Sequence, residues 1–173
     1  MREPLISCII PVFICEGYLE EALDSILAQT YRPLEIIVVA DGSTDGTAAV
    51  VSDYSYQVRY LYQPNSGPSA ARNLGLSAVQ GEFIAFLDAD DLWVKEKLTR
   101  QMARFRARPE LGLSVTMIQN FWIPELKEEQ EKFREHRIMQ PMPGYTPVTL
   151  LARRDVFESV GQFNSNLKHT HST

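Results

Sequence analysis

The chain has 173 residues, of which 45% are hydrophobic and 23% are charged. This length and composition predict one globular domain spanning residues 1–173 and exclude an intrinsically disordered chain. The net charge of −5 and the lack of a basic block argue against nucleic acid as a partner. The longest apolar run, Ile6 to Ile14, is shorter than the roughly 20 residues of a membrane helix. Together with the absence of a leader pattern at the N-terminus, this predicts a cytoplasmic protein without a transmembrane segment.

Apolar runs alternate with stretches of helical periodicity along the first two thirds of the chain. The predicted strands span residues 5–12, 34–40, 58–63, 83–87 and 113–118. The predicted helices span residues 18–29, 45–55, 69–79 and 94–108. Because most of these strands are apolar on both faces, the sequence indicates an α/β protein with an open, mainly parallel sheet covered by helices. Cys8 and Cys15 are expected to be free, largely buried thiols.

Charged residues crowd between positions 124 and 138, where glutamates and lysines recur at a spacing of four. This pattern is typical of a solvated surface helix. A flap over an acceptor site is the alternative, since long excursions from a core often carry function. A short helix follows at 155–160, with Phe157 and Val160 expected to face inward.

Acidic residues follow the second and fourth predicted strands, as Asp41-Gly42-Ser43 and Asp88-Ala89-Asp90-Asp91. In an open parallel sheet, ligands bind beyond the carboxyl ends of the strands. Carboxylates there suit Mg²⁺ or Mn²⁺. Since two unit charges about 4 Å apart interact by about 4 kcal/mol at an effective dielectric near 20, an anionic ligand needs such a cation. The alternative is that Asp90 or Asp91 caps a helix that begins near Trp93.

Two further residues have both a binding and a structural interpretation. Asp41 can accept an N–H from uracil or thymine, or it can cap the following helix; capping by Ser43 or Thr44 would leave Asp41 free. Arg72, near the start of a helix that follows a turn-rich loop, suits a diphosphate oxygen, but an arginine on a helix is most often solvated.

Five motifs in this order and spacing resemble family 2 glycosyltransferases over about residues 5 to 167. They are Cys8-Ile9-Ile10-Pro11-Val12, the segment YLEEALDSILAQT at 18–30, Asp41-Gly42-Ser43-Thr44-Asp45-Gly46-Thr47, Pro68-Ser69-Ala70-Ala71-Arg72-Asn73 and Leu87-Asp88-Ala89-Asp90-Asp91. The resemblance implies the GT-A fold, a Rossmann-like open sheet. It also implies metal-dependent transfer of a sugar from a nucleotide diphosphate sugar, with inversion at the anomeric carbon. A UDP-sugar is the favoured donor.

The resemblance also implies roles by position. The nucleotide-sugar site then comprises Pro11 and Val12 lining the base pocket, Asp41 pairing with the base, Arg72 contacting the nucleotide, Asp88 facing the sugar or ribose, and the adjoining Ala89. Asp90 is the implied metal ligand, for Mg²⁺ or Mn²⁺. The acceptor is an unidentified glycan, lipid or protein, and its hydroxyl requires a separate carboxylate as general base.

The sequence departs from the family pattern at three places. Ile14 stands where asparagine is common, and Ala40 stands where a second aspartate often occurs. After Phe163-Asn164 the family continues to an acidic motif that supplies the general base, whereas no acidic residue follows Glu158 here. The expectation is therefore a C-terminally incomplete transferase whose catalytic base is unknown. The alternative is a module that binds a nucleotide sugar without transferring it. A dehydrogenase is disfavoured, because no G-x-G-x-x-G turn follows the first strand.

Overall fold

A computed structural model describes residues 2–134, 136 and 139–166. Its main sheet has six strands in the spatial order β3-β2-β1-β4-β8-β5. These strands are β1 (Ile6–Val12), β2 (Leu34–Asp41), β3 (Val58–Gln63), β4 (Phe83–Phe86), β5 (Leu113–Ser114) and β8 (Leu151–Arg153). A separate two-stranded sheet consists of β6 (Met117–Ile118) and β7 (Met142–Pro143). The helices are α1 (Glu16–Leu27), α2 (Thr47–Asp53), α3 (Pro68–Ala78), α4 (Lys97–Ala107), α5 (Lys127–Lys132) and α6 (Arg154–Val160).

The direction in which strands are added to the sheet reverses at β1. Strands β2 and β3 are added in sequence order on one side of β1. The chain then returns, and β4 pairs with β1 on its other side, parallel to it. Strand β8 pairs with β4 in the antiparallel direction, and β5 pairs with β8. In open α/β sheets the crevice at such a reversal, beyond the carboxyl ends of the strands, is where ligands bind.

Helices cover both faces of the sheet. Leu19 and Leu23 of α1 and Leu98 of α4 pack in the larger core on one face. Ala71 of α3 lies in the smaller core on the other face, with Phe157 of α6 packed against it. A large apolar side chain contributes about 1.5–3 kcal/mol when fully buried, so these contacts fix the helices on the sheet. The predicted fold class is confirmed.

Several predicted boundaries are wrong. The predicted fifth strand divides into β5 and β6, which belong to different sheets, because the partner of β5 in the main sheet, β8, has only three residues. Helix α4 begins at Lys97 rather than near Trp93. The carbonyls of Val94 and Lys95 instead accept hydrogen bonds from Gln29 and Thr30, which follow α1.

The charged segment also differs from its prediction. Its α-helix covers only Lys127–Lys132 and follows a 3₁₀ turn at Pro124–Leu126, with no buried residue in the helix. Its predicted end at residue 138 lies outside the described residues. Phe157 packs inward as predicted, but Val160 is 75% exposed because α6 ends there, so the prediction for Val160 is wrong. Both cysteines are free, Cys8 buried and Cys15 half-buried.

Candidate functional site

An open cleft lies at the carboxyl edge of the sheet, beside β1 and β2. Its walls come from the end of β1, the end of β2 and the loop that leads into α3. The lining residues are Pro11, Val12, Phe13, Asp41, Asn65, Gly67, Pro68 and Ala71. The structure therefore brings together three residues that the sequence proposed for the base pocket, which are Pro11, Val12 and Asp41.

Asp41 is 3% exposed at the base of this cleft. Its Oδ1 accepts hydrogen bonds from Gln63 Nε2 at 2.6 Å and Ser66 N at 2.8 Å, and its Oδ2 accepts one from Gly67 N at 2.8 Å. A carboxylate has about four acceptor positions, so one position is left after these bonds. The aspartate joins β2 to the loop before α3 and does not cap α2, so its capping interpretation is wrong.

The loops after β1 and β2 are tied to one another. The Glu16 N–H donates to Asp45 Oδ2 at 2.9 Å, and the Gly46 N–H donates to the Glu16 carboxylate. Ser43 Oγ accepts from Ile14 N at 3.1 Å, so Ser43 does not cap α2, and neither does Thr44. These bonds hold the loop that carries one wall of the cleft.

Arg72 and Asp88 face each other beside the cleft, one on α3 and one just after β4. Arg72 Nη2 lies 2.7 Å from Asp88 Oδ1. Arg72 is only 9% exposed, so its interpretation as a solvated helix residue is wrong. Within the part of the chain that the structure describes, its Nε is buried and has no hydrogen-bond partner. A buried donor of this kind is rare in folded proteins and lacks an acceptor.

The loop after β4 concentrates negative charge. Asp90 is exposed and Asp91 is half-buried. Burial, followed by repulsion from Asp88 and Asp90, raises the pKa of Asp91 to about 6. The cap of α4 is Glu96, without a side-chain hydrogen bond, so neither Asp90 nor Asp91 caps that helix. The Ala89 side chain is buried in the larger core, so only its backbone remains to face a ligand.

A divalent cation fits the chemistry of this loop. Among residues 2–134, 136 and 139–166, no three His, Cys, Asp or Glu side chains form a complete metal-binding group. Mg²⁺, however, is usually held by one or two carboxylates, and substrate phosphates and water complete its coordination. The exposed Asp90 beside Asp88 is a donor set of that kind.

Sequence reasoning missed a buried polar network on the inward side of α4. Lys97 is 5% exposed, with Nζ 3.0 Å from Gln101 Oε1 and 4.2 Å from the centroid of the Trp93 ring. Gln101 also donates to the carbonyls of Ser114 and Thr149. Burial lowers the pKa of Lys97 to about 7. The available signal was the spacing of Lys97 and Gln101, which places both on the inward side of α4 with Leu98, Met102 and Phe105.

The sequence matches the family described as Glycosyl transferase family 2 over residues 7–161. The chain belongs to this family. It is 33% identical over 178 residues to an uncharacterized glycosyltransferase of Rickettsia typhi, covering 97% of this chain and 56% of that relative. The chain thus spans about half the length of the curated relatives that it matches over most of its own length.

Solved structures share the fold of this chain. The crystal structure of S. aureus TarS residues 1–349 in complex with UDP superposes with a TM-score of 0.75 at 28% identity, covering 95% of this chain and 52% of that one. The mannosyltransferase PcManGT from Pyrobaculum calidifontis, in complex with GDP-Man and Mn²⁺, has a TM-score of 0.75 at 23% identity, over 96% and 49% of the two chains. Of the helices within the described residues, none has the length and apolar character needed to cross a membrane.

Proposed function

We propose that this chain carries the donor site of an inverting glycosyltransferase that uses a nucleotide diphosphate sugar, with a UDP-sugar favoured. The cleft receives the base between the end of β1 and Asp41, and the diphosphate lies toward Arg72 and the acidic loop after β4. The acceptor is a hydroxyl of a glycan, lipid or protein. The complex of the TarS neighbour with UDP supports this choice of nucleotide.

The observation that carries this proposal is the arrangement of unused polar groups around the cleft. Asp41 retains one acceptor position after three hydrogen bonds, which suits the single N–H on the pairing edge of uracil. Among the residues that the structure describes, none accepts a hydrogen bond from the buried Arg72 Nε–H, and an oxygen of the nucleotide suits this donor. The two groups lie at the carboxyl edge where open α/β sheets bind ligands.

The proposal includes a divalent cation held by Asp90, with Asp88 beside it. A bound Mg²⁺ or Mn²⁺ supplies positive charge that stabilises a leaving diphosphate. Without this charge, Asp88, Asp90 and Asp91 repel an anionic ligand. The pKa of Asp91 is raised to about 6 by burial and then by repulsion from Asp88 and Asp90. Arg72 offsets part of the charge on Asp88 through their ion pair.

Calorimetry of UDP binding tests both parts of the proposal. We expect UDP to bind in Mn²⁺ or Mg²⁺ and to lose measurable affinity in EDTA, whereas uridine, which has no phosphate, binds equally in both. Asp90→Ala should lose the metal-dependent part of UDP binding. Asp53→Ala, which removes an exposed aspartate at the end of α2, is the matched control and should bind as the wild type does.

Two results would overturn the proposal. Equal UDP affinity with and without metal would remove the cation from the site. The absence of any nucleotide binding would remove the donor site itself. Binding without turnover of a UDP-sugar in the presence of acceptors would favour the alternative, a nucleotide-sugar-binding module.

A further inference from the structure

A reciprocal pair of hydrogen bonds joins α3 to the segment that follows α6. Asn73 Nδ2 donates to the carbonyl of Phe163 at 2.8 Å, and the Phe163 N–H donates to Asn73 Oδ1 at 2.9 Å. One amide side chain thereby satisfies both backbone groups of a residue 90 positions away. The bonds fix the backbone of Phe163 in position and in orientation.

The ring of Phe163 lies between the smaller core and the donor site. Its centroid is 5.3 Å from that of Phe86 and 6.2 Å from that of Phe157, both of which belong to or pack on the smaller core. The guanidinium carbon of Arg72 lies 5.8 Å from the same centroid. This distance is within the roughly 6 Å range of a cation–π interaction.

Arg72 has few other constraints on its orientation. Its ion pair with Asp88 engages Nη2, and its buried Nε has no partner among the described residues. An arginine fork presents its donors in a fixed plane, so the tilt of that plane decides where Nε points. The aromatic ring of Phe163 lies close enough to set this tilt.

We propose that Asn73 and Phe163 are positioning residues for Arg72. Asn73 fixes the backbone of Phe163, and the Phe163 ring holds the guanidinium of Arg72 in the orientation that serves the nucleotide site. Binding of the nucleotide therefore depends on docking of the segment after α6, although that segment lies outside the cleft lining. This inference rests on the proposed function, because it concerns the affinity of the same site for its nucleotide.

The test is calorimetry of UDP binding in Mn²⁺ for two variants and a matched control. Phe163→Leu keeps an apolar side chain but removes the ring beside Arg72. Asn73→Ala removes both hydrogen bonds to the Phe163 backbone. Phe157→Leu removes a ring of the same aromatic cluster, which packs on Phe86 at 5.8 Å, and it serves as the control for packing alone.

We expect Phe163→Leu and Asn73→Ala to weaken UDP binding about three- to tenfold, the range of one cation–π contact. Phe157→Leu should lower the melting temperature by a few degrees, as Phe163→Leu does. It should leave UDP affinity unchanged. In an Arg72→Ala background, Phe163→Leu should produce no further loss of affinity, since the group that it positions is gone.

The outcomes separate this inference from the proposed function. Failure of the wild-type chain to bind UDP overturns the proposed function and the inference together. If the wild type binds UDP but Phe163→Leu and Phe157→Leu weaken binding equally, Phe163 acts through packing and the inference alone is wrong. The inference is also wrong if Phe163→Leu weakens binding equally with and without Arg72.

Discussion

The two halves of the carboxyl edge differ in how far the protein satisfies its own polar groups. The loops after β1, β2 and β3 are joined by hydrogen bonds through Asp41, Ser43 and Asp45. The loop after β4 instead gathers Asp88, Asp90 and Asp91, with the Arg72 guanidinium bound to the first of them. The first half is therefore shaped by the protein's own hydrogen bonds, whereas the second half carries excess negative charge, and this is where we propose that a cation binds.

Asp41→Asn should produce the largest loss of stability, because Asp41 lies at the centre of the half formed by the loops after β1, β2 and β3. An asparagine oxygen can replace one carboxylate oxygen, but its NH₂ group then faces an N–H donor. Leaving a buried donor unsatisfied costs about 1–3 kcal/mol, or roughly 3–10 °C in melting temperature for a chain of this size. Thermal unfolding measures this loss, and UDP affinity should fall in parallel.

The control for this prediction is an aspartate outside the cleft. Asp53→Asn, on the exposed end of α2, should melt as the wild type does. From sequence alone, an asparagine at position 41 is expected to leave stability almost unchanged, as asparagine caps helices nearly as well as aspartate. An unchanged melting temperature for Asp41→Asn would therefore show that the three hydrogen bonds of Asp41 contribute little.

Lys97→Met tests the buried lysine of α4 through the pH dependence of protein stability. The folded-state pKa of Lys97 is about 7, lowered from an ordinary value of 10.5 by burial. Between these values the unfolded state binds more protons than the folded state, so wild-type stability rises with pH above 7. We expect a rise of about 1–2 kcal/mol between pH 7 and pH 8.5 that Lys97→Met lacks.

Melting temperatures of the two proteins across this pH range measure the effect as a difference in slope. Other titrating groups are common to both proteins and largely cancel from that difference. Lys95→Met, at an exposed position in the preceding turn, should keep the wild-type slope. Parallel slopes for Lys97→Met and the wild type would mean that Lys97 stays charged when folded.

Asp45→Ala should cause the smallest loss of stability of the three variants. It removes a hydrogen bond between the loops after β1 and β2 without altering the residues that line the cleft. It removes the acceptor for the Glu16 N–H and for the backbone and hydroxyl of Thr47. A lost contact of this capping type costs about 1 kcal/mol. Thermal unfolding should therefore show a fall of about 2–4 °C.

Asp45→Asn keeps one acceptor oxygen and should recover part of the stability lost in Asp45→Ala. UDP affinity should fall less in either variant than in Asp41→Asn. A larger loss of UDP affinity at position 45 than at position 41 would reverse the ranking of the two residues in shaping the cleft.

The strands of the parallel sheet could be read from the sequence because each is a local apolar run. The range predicted for β3, 58–63, agrees with Val58–Gln63, and the range predicted for β2 ends one residue before Asp41. The start of α4 could not be predicted, because Gln29 and Thr30, which follow α1, donate hydrogen bonds to the carbonyls of Val94 and Lys95. Such competition between distant segments leaves no local pattern.

The site could be predicted in its members but not in its contacts. Motif order placed Pro11, Val12 and Asp41 at one edge, and the structure brings them to one cleft. The hydrogen-bond partners of Asp41 lie 22–26 residues away, and those of Asn73 lie 90 residues away. Neither set follows a spacing rule, and both require the folded chain.

The position of β8 between β4 and β5 has a consequence for synthesis of the chain. Strand β8 begins at Leu151, 65 residues after the last residue of β4, Phe86. At about 5–20 residues per second, the ribosome exposes β4 for about 3–13 s before its neighbour exists. During that interval one edge of β4 presents unpaired N–H and C=O groups that can pair with another nascent chain. The risk of mispairing at this edge therefore lasts until Leu151–Arg153 has been made and can pair with β4.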